Sequence, residues 1–139
     1  MGNYIFKKII IAFFIAFPVS MLYSLLQYQA IEGLEASQSG FLVVMLNFIL
    51  NIANFLSALP AFFNLNNYVR DFYVISFLSF CGVPLLILVL LLGIYLFGDS
   101  AHKTMSDFLA IALPSVIFNA VLLYGFIKFR DKADNVKQE

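Results

Sequence analysis

The side chains with the clearest capacity for chemistry are three asparagines in an otherwise apolar stretch, Asn47, Asn51 and Asn54. Their spacing of four and three residues places them within an arc of about 60° on one face of an α-helix, over about 10 Å of its axis. An amide donates and accepts hydrogen bonds but does not titrate near neutral pH. This asparagine stripe therefore predicts binding or helix association rather than acid–base catalysis.

Hydroxyl and amide side chains in two other apolar stretches are expected at similar depths. At about 1.5 Å per residue from the predicted helix ends, Asn47 is level with Ser24 and Ser115, and Asn51 with Ser20 and Asn119. Because an unpaired amide in hydrocarbon costs several kcal/mol, we expect all seven side chains to converge on a buried polar cluster. Interhelical hydrogen bonding is one interpretation of this cluster. A hydrated pocket, a solute path or a docking face for a partner's helix is the other.

Residues that carry out reactions or bind metals are sparse. The chain has one cysteine, Cys81, and one histidine, His102, with no cluster of carboxylates close to either. A cysteine without a neighbouring base is a poor nucleophile, and these two residues alone do not make a closed zinc site. The predicted helix interiors contain no His, Asp, Glu, Lys or Arg. The sequence therefore predicts a protein that is not an enzyme, with no catalytic residue, no metal site and no cofactor.

The composition predicts that the chain lies in a lipid bilayer. The 139 residues are 63% hydrophobic and 12% charged, and their mean hydropathy is +0.95. Globular chains average about 25% charged residues, and a small soluble domain has too much surface to cover with so few. Eight acidic and eight basic residues give a net charge of zero, which excludes the basic footprint of a nucleic-acid-binding protein.

Gaps between the charged residues locate four predicted transmembrane helices. They are residues 9–26, 41–63, 72–97 and 108–127. Each is long enough to cross about 30 Å of hydrocarbon, and each contains one proline that we expect to kink it. The predicted fold class is an all-α membrane protein, a four-transmembrane-helix bundle that forms a single domain over residues 1–139. A mobile cytoplasmic tail is predicted at 131–139.

The basic residues are distributed unevenly among the predicted connections. Seven of the eight fall on one side, namely Lys7, Lys8, Arg70, Lys128, Arg130, Lys132 and Lys137. The other side has Lys103, with Glu32, Glu35, Asp99 and Asp107. Because the excess of Lys and Arg stays on the cytoplasmic side of a membrane, both termini are predicted to be cytoplasmic, in the cell (inner) membrane.

Two segments of the chain carry a resemblance to known proteins. Residues 57–64, SALPAFFN, and residues 76–85, SFLSFCGVPL, resemble small four-span bacterial inner-membrane proteins, some of which look like immunity partners encoded beside secreted toxins. The resemblance covers the second and third predicted helices. It implies a function by binding and transfers no catalytic residue.

We therefore expect a non-catalytic multi-pass membrane protein that acts by binding a partner in or at the membrane, as an accessory subunit or a toxin-immunity protein. The alternative is an oligomeric passive channel or small transporter lined by the asparagine stripe. The small multidrug-resistance transporters have this length and four helices, but they rely on a glutamate in the first helix, and residues 9–26 contain none. The expected partners are the lipid bilayer and another membrane protein or a toxin. A homo-oligomer stays open, and nucleic acid is excluded.

Overall fold

The computed structural model describes residues 1–29, 34–97 and 105–136, and this part of the chain is helical without β-strands. The elements are α1 (Gly2–Gln29), α2 (Leu34–Ser57), a 3-10 helix (Leu59–Leu65), α3 (Asn67–Asp71), α4 (Tyr73–Phe77), a π-helical turn (Leu78–Gly82), α5 (Val83–Phe97) and α6 (Met105–Val136). Several charged residues used above for orientation lie outside the described residues, namely Glu32, Asp99, Lys103 and Lys137, and so does His102.

Four helical segments are long and apolar enough to cross a membrane. They are Gly2–Leu26, Phe41–Leu65, Tyr73–Phe97 and Ile111–Ala133, with mean hydropathies between 1.7 and 2.7. These segments confirm the prediction of four spans. The first begins earlier than predicted and includes Lys7 and Lys8, whose long apolar stems let the ammonium groups reach past the end of a hydrophobic segment.

The second span is a composite rather than the single helix that the sequence predicts. The α-helical part ends at Ser57, and the 3-10 helix Leu59–Leu65 completes the span with Pro60 in its first turn. Proline lacks an N–H donor, and its ring clashes with the carbonyl group four residues earlier. The α-helical ladder therefore stops here, and a tighter helix continues in the same direction.

The third span is also interrupted. The π-helical turn Leu78–Gly82 separates α4 from α5 and ends two residues before Pro84. A π-helical turn accommodates an extra residue in the helix and commonly marks a kink or a functional position. Pro18 and Pro114, in contrast, lie inside the continuous helices α1 and α6.

Helix α6 runs further than the sequence indicates. Residues 131–136, which the sequence places in a mobile tail, continue α6 as far as Val136. The buried side chains of Phe129 and Ala133 lie four residues apart on one face and hold these last turns against the rest of the molecule. Residues 137–139 of the predicted tail lie outside the described part of the chain.

The apolar core lies between α1 and α6, which have the most extensive contact of any two helices. Ile5, Ile9, Ala12 and Ala16 of α1 and Phe118, Leu122, Phe126 and Phe129 of α6 form most of it. The third span joins this core through aromatic contacts. The Phe126 ring lies 5.5 Å from the rings of Tyr73 and Phe77 and 5.7 Å from that of Phe80.

Three distant parts of the chain meet at one end of the molecule, here called the terminal end. Arg70, in the connection between the second and third spans, donates a hydrogen bond from Nη1 to Met1 Sδ at 3.0 Å. Arg130, near the end of α6, donates from Nη1 to the Arg70 carbonyl oxygen. The start of α1, the connection between the second and third spans and the last turns of α6 are therefore in direct contact.

Candidate functional site

The asparagine stripe on α2 is completely buried, and two of its members bond to α1. Asn47 Nδ2 donates to Ser24 Oγ, and Asn51 Nδ2 donates to Ser20 Oγ at 3.0 Å. Each serine hydroxyl donates in turn to a carbonyl of its own helix, Ser24 to Ser20 at 2.9 Å and Ser20 to Phe17 at 3.0 Å. The lone pairs of the hydroxyls therefore remain available to the amides. Two residues four apart on each of two antiparallel helices meet in pairs, as the spacing requires.

The remaining member of the stripe bonds to α6. Asn54 Nδ2 donates to Ser115 Oγ at 2.9 Å. One turn further along α6, Asn119 Nδ2 donates to the carbonyl oxygens of Ser115 at 2.8 Å and of Pro84 at 3.1 Å. The stripe thus connects α2 to both α1 and α6, and Asn119 extends the set to the third span.

All seven side chains that the sequence singles out are buried, with Asn119 the most exposed at 6%. We call them the amide cluster. The expected pairs Asn47–Ser24 and Asn51–Ser20 are present. Ser115, however, bonds to Asn54 rather than to Asn47, and Asn119 bonds to Pro84 rather than to Asn51.

The different register with α6 follows from where the helices begin. Asn54 comes 20 residues after the start of α2 at Leu34, whereas Ser115 comes 10 residues after the start of α6 at Met105. Helix α2 therefore extends about 15 Å further beyond this pair than α6 does. The predicted depths require the ends of all helices to lie at the same depth in the membrane, which is wrong for α6.

Part of the hydrogen-bonding capacity of the cluster is unused. The Oδ1 atoms of Asn51, Asn54 and Asn119 are buried and have no hydrogen-bond partner among the described residues. Rotating an amide by 180° would only exchange the unpaired oxygen for an unpaired NH2 group. Each of these amides therefore forms hydrogen bonds with the described chain through its NH2 group and not through its oxygen.

A second buried amide lies outside the predicted cluster. Asn64, in the 3-10 helix, accepts a hydrogen bond at Oδ1 from Ser76 Oγ and donates from Nδ2 to Ser79 Oγ at 2.6 Å. Asn64 Nδ2 also lies within hydrogen-bonding distance of the carbonyl oxygens of Ala61, at 3.2 Å, and Ser76, at 3.3 Å. We call Asn64, Ser76 and Ser79 the Asn64 node. The node is not predicted from the sequence because Asn64 falls between the predicted helices 41–63 and 72–97, although the spacing of the two serines places them on one helix face.

A cavity of about 190 Å³ lies between the third span and α6, beside the amide cluster. It is lined by Phe77, Cys81, Leu85, Asn119, Ala120 and Leu123. Asn119 is the only amide in this lining, and the Cys81 thiol is buried and free. The cavity therefore suits an apolar group in contact with one hydrogen-bonding side chain.

The fold and the cluster define the class of this protein as a multi-pass membrane protein with a polar interior made of neutral groups. Comparison with protein-family models, curated proteins and solved structures finds no match to this chain. In the described part of the chain, no three His, Cys, Asp or Glu side chains form a group that could hold a metal ion. The chemistry available to the amide cluster is the donation and acceptance of hydrogen bonds.

Proposed function

We propose that this chain acts without catalysis by binding a partner in or at the membrane, as an accessory subunit or a toxin-immunity protein. The observation that carries the proposal is Gly93 in α5. A Cβ atom added there would meet nothing within 4 Å among the described residues, so no contact in this part of the chain requires a glycine. Glycine in a helix interior costs about 0.8–1.0 kcal/mol relative to alanine. A contact outside the chain would account for that cost.

The surroundings of Gly93 favour a transmembrane helix as the partner. One face of α5 has five exposed apolar residues around the half-buried Gly93, and we call it the α5 face; it consists of Leu86, Val89, Leu90, Gly93, Ile94 and Phe97. A shallow groove of about 590 Å³ runs along it over Gly93. Within α5, only Pro84 is buried. Small residues let two helices approach closely in lipid, where packing drives their association.

The burial of the asparagine stripe favours this proposal over the alternative of an oligomeric channel. A pore between copies of the chain would need polar side chains on the outer surface of each copy. Asn47, Asn51 and Asn54 are instead 0% exposed, and each donates to a serine of the same chain. The stripe then serves to hold helices together, at about 0.6 kcal/mol per contact, and binding takes place on the α5 face.

We further propose that the four spans form a bundle in the inner membrane with both termini in the cytoplasm. The contacts among Met1, Arg70 and Arg130 support a common side for the two termini. The concentration of Lys and Arg at this end supports the cytoplasmic assignment. A reporter fused to either terminus should be active only in the cytoplasm, and an external signal from either fusion would contradict this topology.

The partner proposal is tested by photo-crosslinking in cells. A photoreactive residue at Ile94, on the α5 face, should yield one discrete crosslinked polypeptide. The same residue at Leu22 of α1, which has a similar exposure (60% against 70%), should yield only lipid adducts. Gly93→Leu should abolish the Ile94 crosslink without changing the stability of the purified protein, because the added side chain enters open space.

Equal crosslinking from Ile94 and Leu22, or none from either, would contradict the proposal. The channel alternative is checked separately with purified protein in liposomes. We expect no leak of ions or small solutes. A leak from the wild-type protein that is lost in Asn51→Leu would favour the channel instead.

A further inference from the structure

Two lysines at the terminal end share one aromatic ring. Lys8 Nζ lies 5.4 Å from the centroid of the Tyr4 ring and 5.4 Å from that of Tyr124. Lys132 Nζ lies 5.9 Å from the centroid of the same Tyr4 ring. Cation–π contacts of this length hold an ammonium group at a defined place on the surface. The Tyr4 ring therefore has a cation of α1 and a cation of α6 within 6 Å of its centroid.

The backbone of α6 is shaped to receive these side chains. The Tyr4 hydroxyl donates to the Gly125 carbonyl oxygen at 3.2 Å. A Cβ atom on Gly125 would lie 3.3 Å from Lys8 Cγ, so the absence of a side chain lets the Lys8 stem lie directly on α6. We call Tyr4, Lys8, Tyr124, Gly125 and Lys132 the Tyr4 site. It is a built arrangement of two helices rather than a pair of freely moving surface lysines.

The two ammonium groups of the Tyr4 site are not paired with a carboxylate in the described chain. Neither Lys8 nor Lys132 forms an ion pair with a carboxylate in the part of the chain that the structure describes. Asp131 is close enough to act on Tyr4 through space, but it is exposed and bonds to neither lysine. Two positive charges held beside one ring attract an anion from outside the chain more strongly than a single exposed lysine does.

We propose that the Tyr4 site binds the phosphate headgroup of an anionic phospholipid. The site lies at one end of two membrane spans, where headgroups are found. Exposed apolar side chains such as Phe6 and Ile127 continue from it along α1 and α6 and provide a surface for acyl chains. Basic residues beside a membrane span attract anionic lipids in this way. The inference rests on membrane insertion alone and is independent of the proposed partner on the α5 face.

The test places the full chain in nanodiscs of phosphatidylcholine that contain increasing fractions of phosphatidylglycerol. The lipids that stay bound to the protein after its release from the nanodisc are then counted by native mass spectrometry. We expect retention of phosphatidylglycerol over phosphatidylcholine. Lys8→Gln and Lys132→Gln should each weaken that retention about fivefold. Lys7→Gln and Lys128→Gln remove the same charge from exposed positions that contact no ring in the described chain, and should change retention less than twofold.

Two further measurements keep the proposal falsifiable. Tyr4→Phe removes the hydrogen bond to Gly125 but retains the ring, so phosphatidylglycerol should still be retained. Glycerol phosphate at millimolar concentration should not displace the lipid, because it lacks acyl chains; displacement would make a soluble phosphate compound the ligand and overturn the proposal. An equal loss of phosphatidylglycerol retention in all four lysine variants would also overturn the proposal. The lipid would then be attracted by the positive charge of the whole surface rather than by the Tyr4 site.

Discussion

The molecule buries asparagine in two regions that treat the same side chain differently. In the Asn64 node, the amide uses both ends, because Oδ1 accepts from Ser76 and Nδ2 donates to Ser79 at 2.6 Å. In the asparagine stripe, Asn51 and Asn54 each donate from Nδ2 to a serine, while Oδ1 has no partner in the described part of the chain. Residue type and burial alone do not predict how completely an amide is bonded.

The difference follows from where the neighbouring serine hydroxyls donate. Beside the stripe, Ser20 and Ser24 donate to carbonyl oxygens of their own helix, so neither hydroxyl donates to an asparagine Oδ1. In the node, Ser76 Oγ donates to Asn64 Oδ1, while Ser79 Oγ accepts from Asn64 Nδ2 and donates to the Ser76 carbonyl oxygen. A hydroxyl that donates to the amide rather than to its own helix therefore makes Asn64 fully bonded.

The largest effect is expected from removing the amide of the node. Asn64→Leu eliminates bonds from both ends of the amide and leaves the Ser76 and Ser79 hydroxyls without their partner. We expect a loss of about 2–3 kcal/mol in the free energy of unfolding, measured by denaturant titration in detergent micelles. Asn3→Ala, at an exposed position whose side chain forms no hydrogen bond in the described chain, is the control and should cost less than about 0.5 kcal/mol.

A smaller effect is expected in the stripe. Asn51→Leu removes the bonds that Nδ2 donates to Ser20 Oγ and to the Asn47 carbonyl oxygen, but it also removes a buried oxygen that has no partner in the described chain. These changes oppose each other, so the free energy of unfolding should fall by about 1 kcal/mol or less. The same titration measures it. If Asn51→Leu cost as much as Asn64→Leu, the two regions would be energetically equivalent and the comparison would fail.

The sequence predicts the parts of this structure that depend on composition and on short-range spacing. Four spans follow from long charge-free apolar stretches, and their presence is confirmed. The contacts of α1 with α2 follow from matched four-residue spacings, with Ser20 and Ser24 opposite Asn51 and Asn47. The four spans require only long apolar stretches, and the contacts of α1 with α2 require only the helical repeat and an antiparallel connection.

The parts that could not be predicted depend on how helices are placed relative to one another. A proline signals that a helix is disturbed, but not whether the chain continues as a 3-10 helix, as at Pro60, or after a π-helical turn, as before Pro84. The pairing of Ser115 with Asn54 depends on the axial level of α6. Contacts such as those of Phe126 with the third span help to set that level, and no local pattern in the sequence reports it.

The smallest expected effect is the coupling energy between one amide and one hydroxyl, which compares the two regions bond by bond. A double-mutant cycle of Asn54→Leu and Ser115→Ala should give a coupling of about 0.6 kcal/mol, the average for such contacts in membrane proteins. A cycle of Asn64→Leu and Ser79→Ala should give a larger value, because Asn64 is held from both ends and its bond to Ser79 keeps a fixed geometry. Equal couplings would mean that the second bonded end does not strengthen the first.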